Sequence, residues 1–109
     1  MPTVVNYADV FQDFLVAAPP GVENYPCLCP NWDNTPRSGN RGFVLHNSTP
    51  ELFRSHVSQA IKMTEGVPTE HRLLFIKSWN EWAEGNYLEP DLRFGHGYLK
   101  ALRDELSVL

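Results

Sequence analysis

Two glutamates three residues apart, Glu81 and Glu84, stand among Trp79, Asn80 and Trp82 in the stretch Ser78-Trp79-Asn80-Glu81-Trp82-Ala83-Glu84-Gly85. The stretch directly follows the apolar run Leu73-Leu74-Phe75-Ile76. Paired carboxylates can act as general acid and general base, and indole faces stack on sugar rings, so the combination points to carbohydrate chemistry. On a helical turn, positions i and i+3 share one face, with Cβ atoms roughly 5–6 Å apart. Carboxylates that close would keep one of the pair protonated near neutrality. The structural alternative is an acidic pair at a helix start, favoured by the macrodipole. Two tryptophans and an asparagine are not needed for that role, and they weigh for function. Trp82 is the expected sugar platform, and Trp79, nearer the strand, the expected core residue. Asn80 either bonds a substrate hydroxyl and orients a glutamate, or caps the following turn.

A second cluster, Trp32, Asp33 and Arg37, lies in the polar segment Asn31-Trp32-Asp33-Asn34-Thr35-Pro36-Arg37. An aspartate and an arginine at a strand end can bond sugar hydroxyls and hold a neighbouring carboxylate. They can equally close a turn through an internal Asp33–Arg37 ion pair. Glu89 and Asp91, flanking Pro90, read as caps of the last helix.

Other chemistries find little footing. His46, His56, His71 and His96 are scattered, and no serine has a His/Asp pattern around it, so a catalytic triad is not expected. No glycine-rich phosphate loop of either standard spacing occurs. Cys27 and Cys29 lack a second cysteine pair or spaced histidine pair that would complete a metal site. On a strand the two would face the same way with little freedom to bond each other, and the expectation is buried, reduced thiols.

The elements that must position these residues follow from periodicity. Tyr7, Val10, Phe11, Phe14 and Leu15 form a helical stripe, predicting a helix over Tyr7–Ala17 that stops at Pro19-Pro20-Gly21. Tyr25–Cys29 predicts a strand closed by Pro30, and Phe43–Leu45 a short extended piece. Ser48, Pro50 and Glu51 form a capping box for a helix burying Leu52, Phe53, Val57, Ala60 and Ile61, ended by Gly66-Val67-Pro68. Arg72–Lys77 predicts a strand buried on both faces, as in a parallel sheet. Phe94, Tyr98, Leu99, Leu102 and Leu106 predict a final helix. Helices alternating with strands make an α/β fold with a parallel sheet, and both polar loops leave the C-terminal ends of their strands, where such folds bind ligands.

The chain has 109 residues with 42% hydrophobic and 20% charged, an ordinary globular composition for one domain. Its net charge of −4 argues against nucleic acid or an anionic membrane as partner. No apolar stretch approaches the ~20 residues of a membrane span. No basic segment with an apolar core opens the chain, which sets a cytoplasmic expectation. Two strands with three helices would leave sheet edges unpaired and apolar faces bare, so the chain is expected to be part of something larger or to meet a companion chain.

Taken together, Trp32-Asp33-Asn34-Thr35-Pro36-Arg37, Thr49-Pro50-Glu51, Trp79-Asn80-Glu81-Trp82-Ala83-Glu84-Gly85, Leu88-Glu89-Pro90-Asp91 and Gly97-Tyr98-Leu99 resemble the C-terminal part of WbsX-type proteins of polysaccharide and lipopolysaccharide biosynthesis. These are similar in turn to glycoside hydrolase family 99 endo-α-mannosidases. The resemblance runs from about residue 30 to the end. It implies that residues 1–109 are the C-terminal segment of a (β/α)8 TIM barrel, contributing about the last two strands and their flanking helices. It further implies that Glu81 is the base toward the sugar 2-hydroxyl and Glu84 the acid, with Trp32, Asp33, Arg37, Asn80 and Trp82 around an α-linked oligosaccharide or polysaccharide. Neither a metal nor an organic cofactor is implied. Hydrolysis and glycosyl transfer both remain open, and so does a non-catalytic glycan-binding remnant.

Overall fold

A computed structural model describes residues 1–107. The chain is mixed α/β, built from short strands and two substantial helices. Strand β1 (Thr3–Asn6) pairs in parallel with β3 (Phe43–His46), and β2 (Cys27–Leu28) in parallel with β4 (Phe75–Ile76). β5 (Asn80–Glu81) and β6 (Asn86–Tyr87) form an antiparallel hairpin. The two parallel pairs are joined where the chain leaving β2 reaches β3: the Leu45 N–H donates to the Trp32 carbonyl at 2.9 Å, and Asp33 bridges Val44.

Helix α3 (Pro50–Met63) supplies half of the main core cluster, and α4 (Gly97–Leu106) packs against it. Phe53, Val57, Ala60 and Ile61 of α3 meet Leu28, Leu88, Tyr98 and Ala101 in one cluster. Leu52, expected in that face, is only half-buried, and His56 takes the fully buried place instead. The helix is capped by Thr49, whose hydroxyl accepts from the Leu52 N–H at 3.2 Å, and not by Ser48. Ser48 is buried, bonding the Pro30 carbonyl and the Tyr98 hydroxyl, so its side chain is committed to tertiary contact.

The first predicted helix is shorter than its periodicity suggests. Helix α1 covers only Tyr7–Val10 (α2 is the single turn Thr35–Ser38), and Phe11–Phe14 continue α1 as a tighter 3-10 turn. That turn draws the rings of Phe11 and Phe14 onto His56, at centroid distances of 5.8 Å each, beside Tyr7. The last helix also begins later than its apolar stripe, at Gly97, because Phe94 belongs to a turn closed between Asp91 and Gly95.

Two burial expectations fail. Cys27 is exposed and Cys29 half-buried, both as free thiols, because one side of β2 stays open. Burial pushes the Cys29 thiol up to about 11. Leu73 and Phe75 are 47% and 53% exposed, so β4 is covered on one face only. Among the described residues no helix is long and apolar enough to cross a membrane.

Candidate functional site

Glu81 and Glu84 sit on a hairpin rather than a helical turn. Glu81 closes β5 opposite Asn86, and Glu84 ends the 3-10 turn Trp82–Glu84. The Ser78 hydroxyl donates to the Asn86 carbonyl at 2.6 Å and accepts from the Glu81 N–H at 3.2 Å, fixing the hairpin base. Gly85 then reverses the chain in the left-handed region, at φ +56°. A Cβ there would lie 2.5 Å from the Asp33 carbonyl oxygen, so glycine is required both for the turn and for the close approach.

That approach joins the hairpin to the second cluster. The Asp33 N–H donates to the Glu84 carbonyl at 3.0 Å. Arg37 Nη1 stands 3.7 Å from Glu84 Oε1, with Arg37 itself largely exposed. Asp33 does not pair with Arg37: its Oδ1 accepts from the Thr35 N–H at 2.9 Å and from the Thr35 hydroxyl at 2.5 Å, closing the Asp33–Thr35 turn. Of the two expectations for this cluster, Arg37 therefore holds a neighbouring carboxylate, and Asp33 serves the turn that aims Arg37.

Asn31 clamps the same two segments together. It is buried, its amide donates to the Tyr87 carbonyl at 3.1 Å, and its oxygen accepts from the Tyr87 N–H at 2.8 Å, imitating a strand partner. Fully buried Asn86 donates to the Asn31 and Lys77 carbonyls at 2.8 Å each. A buried amide that leaves these groups unpaired would cost about 1–3 kcal/mol for each, so the pair fixes the loop geometry firmly.

Trp82 stacks on Tyr87 with ring centroids 3.9 Å apart and 16° between planes. Its indole N–H donates to Glu89 Oε1 at 2.7 Å, and the Tyr87 hydroxyl donates to Asp91 Oδ2 at 2.5 Å. Burial and the Asp91 carboxylate push the Tyr87 hydroxyl well above the usual phenol range, so it remains a donor. Asp91 Oδ1 also accepts from the Phe94 N–H at 2.6 Å. Glu89 and Asp91 thus orient aromatic rings and a turn, not the start of α4, which lacks a side-chain cap.

Trp32, Asp33 and Trp82 line an open cleft of about 350 Å³ together with His46, Tyr87 and Arg93. Trp79, expected in the core, is 55% exposed and lies beside Leu99, Leu102 and Leu106 of α4. It serves through its carbonyl, which accepts from the Leu88 and Glu89 N–H groups. Asn80 and Glu81 are exposed. Sequence reasoning passes over Asn31, Tyr87 and Arg93; the alternation Tyr87, Glu89, Asp91 is the signal that marks one side of an extended segment. Among the described residues no group of three or more His, Cys, Asp or Glu is placed to hold a metal ion.

The chain matches the family model described as "Glycosyltransferase WbsX" over residues 1–102. It is 39% identical over 84 residues to "Uncharacterized protein WxcX" from Xanthomonas campestris pv. campestris strain B100, and equally to that protein in strain ATCC 33913. Each match covers 76% of this chain but 12% of the relative, so the chain spans a small part of the length of the curated proteins it matches. No solved structure matches it.

Proposed function

The chain belongs to the WbsX glycosyltransferase family, and from that premise we propose that it is the glutamate-bearing C-terminal segment of a protein acting on α-linked glycosidic bonds in surface polysaccharide or lipopolysaccharide synthesis. The observation that carries this reading is the Arg37–Glu84 contact: two loops from different strands converge to hold one carboxylate beside an aromatic platform.

In the proposed chemistry Glu81 takes the proton of the sugar 2-hydroxyl as the 2-oxygen closes on C1. Glu84 gives its proton to the departing glycosidic oxygen. The Glu84 carboxylate so formed is the species that Arg37 stabilises. It then takes a proton from water, or from an acceptor hydroxyl, as that oxygen attacks C1. Glu81 returns its proton to the 2-oxygen when the three-membered ring opens. Water gives hydrolysis and an acceptor sugar gives transfer, with the same residues in the same roles.

Residues 1–109 would form about the last two strands of a (β/α)8 barrel with their helices. Parallel pairing of β1 with β3 and of β2 with β4 supports a barrel origin, though with four short parallel strands rather than two, as do the site loops leaving the C-terminal ends of β2 and β4. The exposed apolar face of β4 supports a need for further chain around it. A second reading, a non-catalytic glycan-binding segment, draws on the exposure of Glu81, which no wall among the described residues encloses. Incubating an α-linked oligosaccharide with a chimera in which this chain replaces the matching segment of the longer relative, followed by mass spectrometry, separates the readings. Shortened or extended glycan supports catalysis; bound but unchanged glycan favours the binding segment.

A further inference from the structure

Helix α4 carries two apolar stripes, and only one of them has a full neighbour. Tyr98 and Ala101 are buried against α3 in the main core cluster. Leu99, Leu102 and Leu106, at i, i+3 and i+7, form a second stripe on the flank beside β4 and Trp79. That flank is open. Trp79 and Leu106 are exposed, and among the described residues β4 has a strand partner, β2, on one edge only. Two clefts, of about 380 and about 420 Å³, run along the flank and share Leu102 and Leu106, so they make one continuous groove. Leu74 and Ile76 floor one end of it, and the Trp79 indole lies at the other.

The charged groups along this groove are of one sign. Arg72, Lys100 and Arg103 line it, and among the described residues no Asp or Glu does. Arg103 is paired with Asp104 of its own helix, and Arg72 donates to the Thr64 hydroxyl at 3.2 Å. Lys100 is exposed and forms no ion pair among the described residues. In a chain of net charge −4 this is a local excess of cations beside an apolar floor. Leucines spaced along one helix flank receive a second helix by packing ridges into grooves. The ten residues of α4 give such a partner about 15 Å of contact, some three turns. A lipid surface instead takes up apolar residues that protrude, and here they lie in a concavity.

We infer that this groove docks an amphipathic helix with carboxylates along one edge, supplied by the part of the longer protein that lies outside the matched segment. The curated relatives have the length to supply it, since the match covers 12% of each. The inference rests on the reading of this chain as a segment of a longer protein, and not on the chemistry of Glu81 and Glu84.

Carbodiimide coupling, which joins a lysine amine to a carboxylate in contact with it, tests this in the chimera with the longer relative. The expected product, mapped by mass spectrometry, joins Lys100 to an Asp or Glu outside residues 1–109, in a sequence with apolar residues at i, i+3 and i+7. Coupling of Lys100 only within residues 1–109, of its own or of a second copy, overturns the docked helix, and so does no coupling in a soluble chimera. Turnover by the same chimera reports separately on the segment reading. A titration of the chain itself keeps the test independent of how the chimera folds. A fluorescein-labelled helical Leu/Glu peptide of about four turns should bind, and a Leu/Lys peptide with the same apolar face should not. Lys100→Glu combined with Arg103→Glu, both at exposed positions, should weaken the Leu/Glu peptide about tenfold, the scale of two surface ion pairs. Equal binding of the two peptides, or unchanged affinity in the double variant, overturns the acid-edged partner. Binding to phosphatidylglycerol vesicles and to neither peptide also overturns it, in favour of an anionic lipid surface.

Discussion

Arg37 and Glu84 come from segments 47 positions apart in sequence, and their contact is the most direct link between the two clusters. An exposed ion pair contributes about 0–1 kcal/mol to stability, so Arg37→Met should leave the melting temperature almost unchanged. It should nevertheless lower turnover in the proposed reaction, because the carboxylate left on Glu84 loses its counter-charge; a melt and a rate measured on one preparation check both halves. The tryptophans divide differently from their sequence reading. Trp79 is 55% exposed, so Trp79→Ala should cost less than the ~3–5 kcal/mol of a buried aromatic truncation. Trp82→Ala should weaken glycan binding and remove the near-ultraviolet signature of the Trp82–Tyr87 stack, with modest loss of stability. Residue types and spacing make Glu81, Glu84, Trp82 and Arg37 legible as candidates. Tyr87 and Asn31 are not legible, since their roles arise from a hydrogen-bonded pairing between residues 56 positions apart.

At the scale of elements, α3 was readable because its apolar stripe is long and both ends carry stop signals; only the capping residue moved by one position. β5 and β6 were not readable, since two-residue strands carry no periodicity and depend on Ser78 and Gly85 for their geometry. Gly85→Ala should therefore detach the hairpin from Asp33 and cost more than the ~1 kcal/mol of an ordinary glycine replacement, measurable by denaturant titration. His56 on α3 provides a pH test. Its Nε2 accepts from the Cys29 N–H at 3.1 Å, and its Nδ1 is buried among Tyr7, Phe11, Phe14 and Phe53 without a partner among the described residues. Burial holds its pKa down to about 4, against 6.5 for the free side chain. The unfolded chain then binds the extra proton first. The contribution of His56 is complete above pH 6.5 and falls away as pH drops toward 4, by roughly 3 kcal/mol at most. Melts at pH 7.5 and pH 5 should show about two-thirds of that loss in the native chain and a smaller one in His56→Gln, whose amide oxygen can still accept from Cys29.

At the scale of the whole molecule, two two-stranded parallel pairs linked only through the segment after β2 leave backbone edges open, and Val4, Leu73 and Phe75 are each about half exposed or more. Parallel sheets are stable chiefly when both faces are covered. The chain alone should therefore self-associate on size-exclusion chromatography or melt with low cooperativity; a sharply melting monomer would remove the physical case for missing neighbours. The central claim, that Glu81 and Glu84 carry acid–base chemistry on a glycan, is tested most directly by turnover of an α-linked oligosaccharide in the chimera with the longer relative. Wild-type, Glu81→Gln and Glu84→Gln forms should bind the glycan alike, since glutamine keeps the shape of the side chain. Each substitution should lower the rate about 10²-fold or more, because an amide neither takes nor gives the proton. Undiminished turnover in both single variants would contradict the assignment.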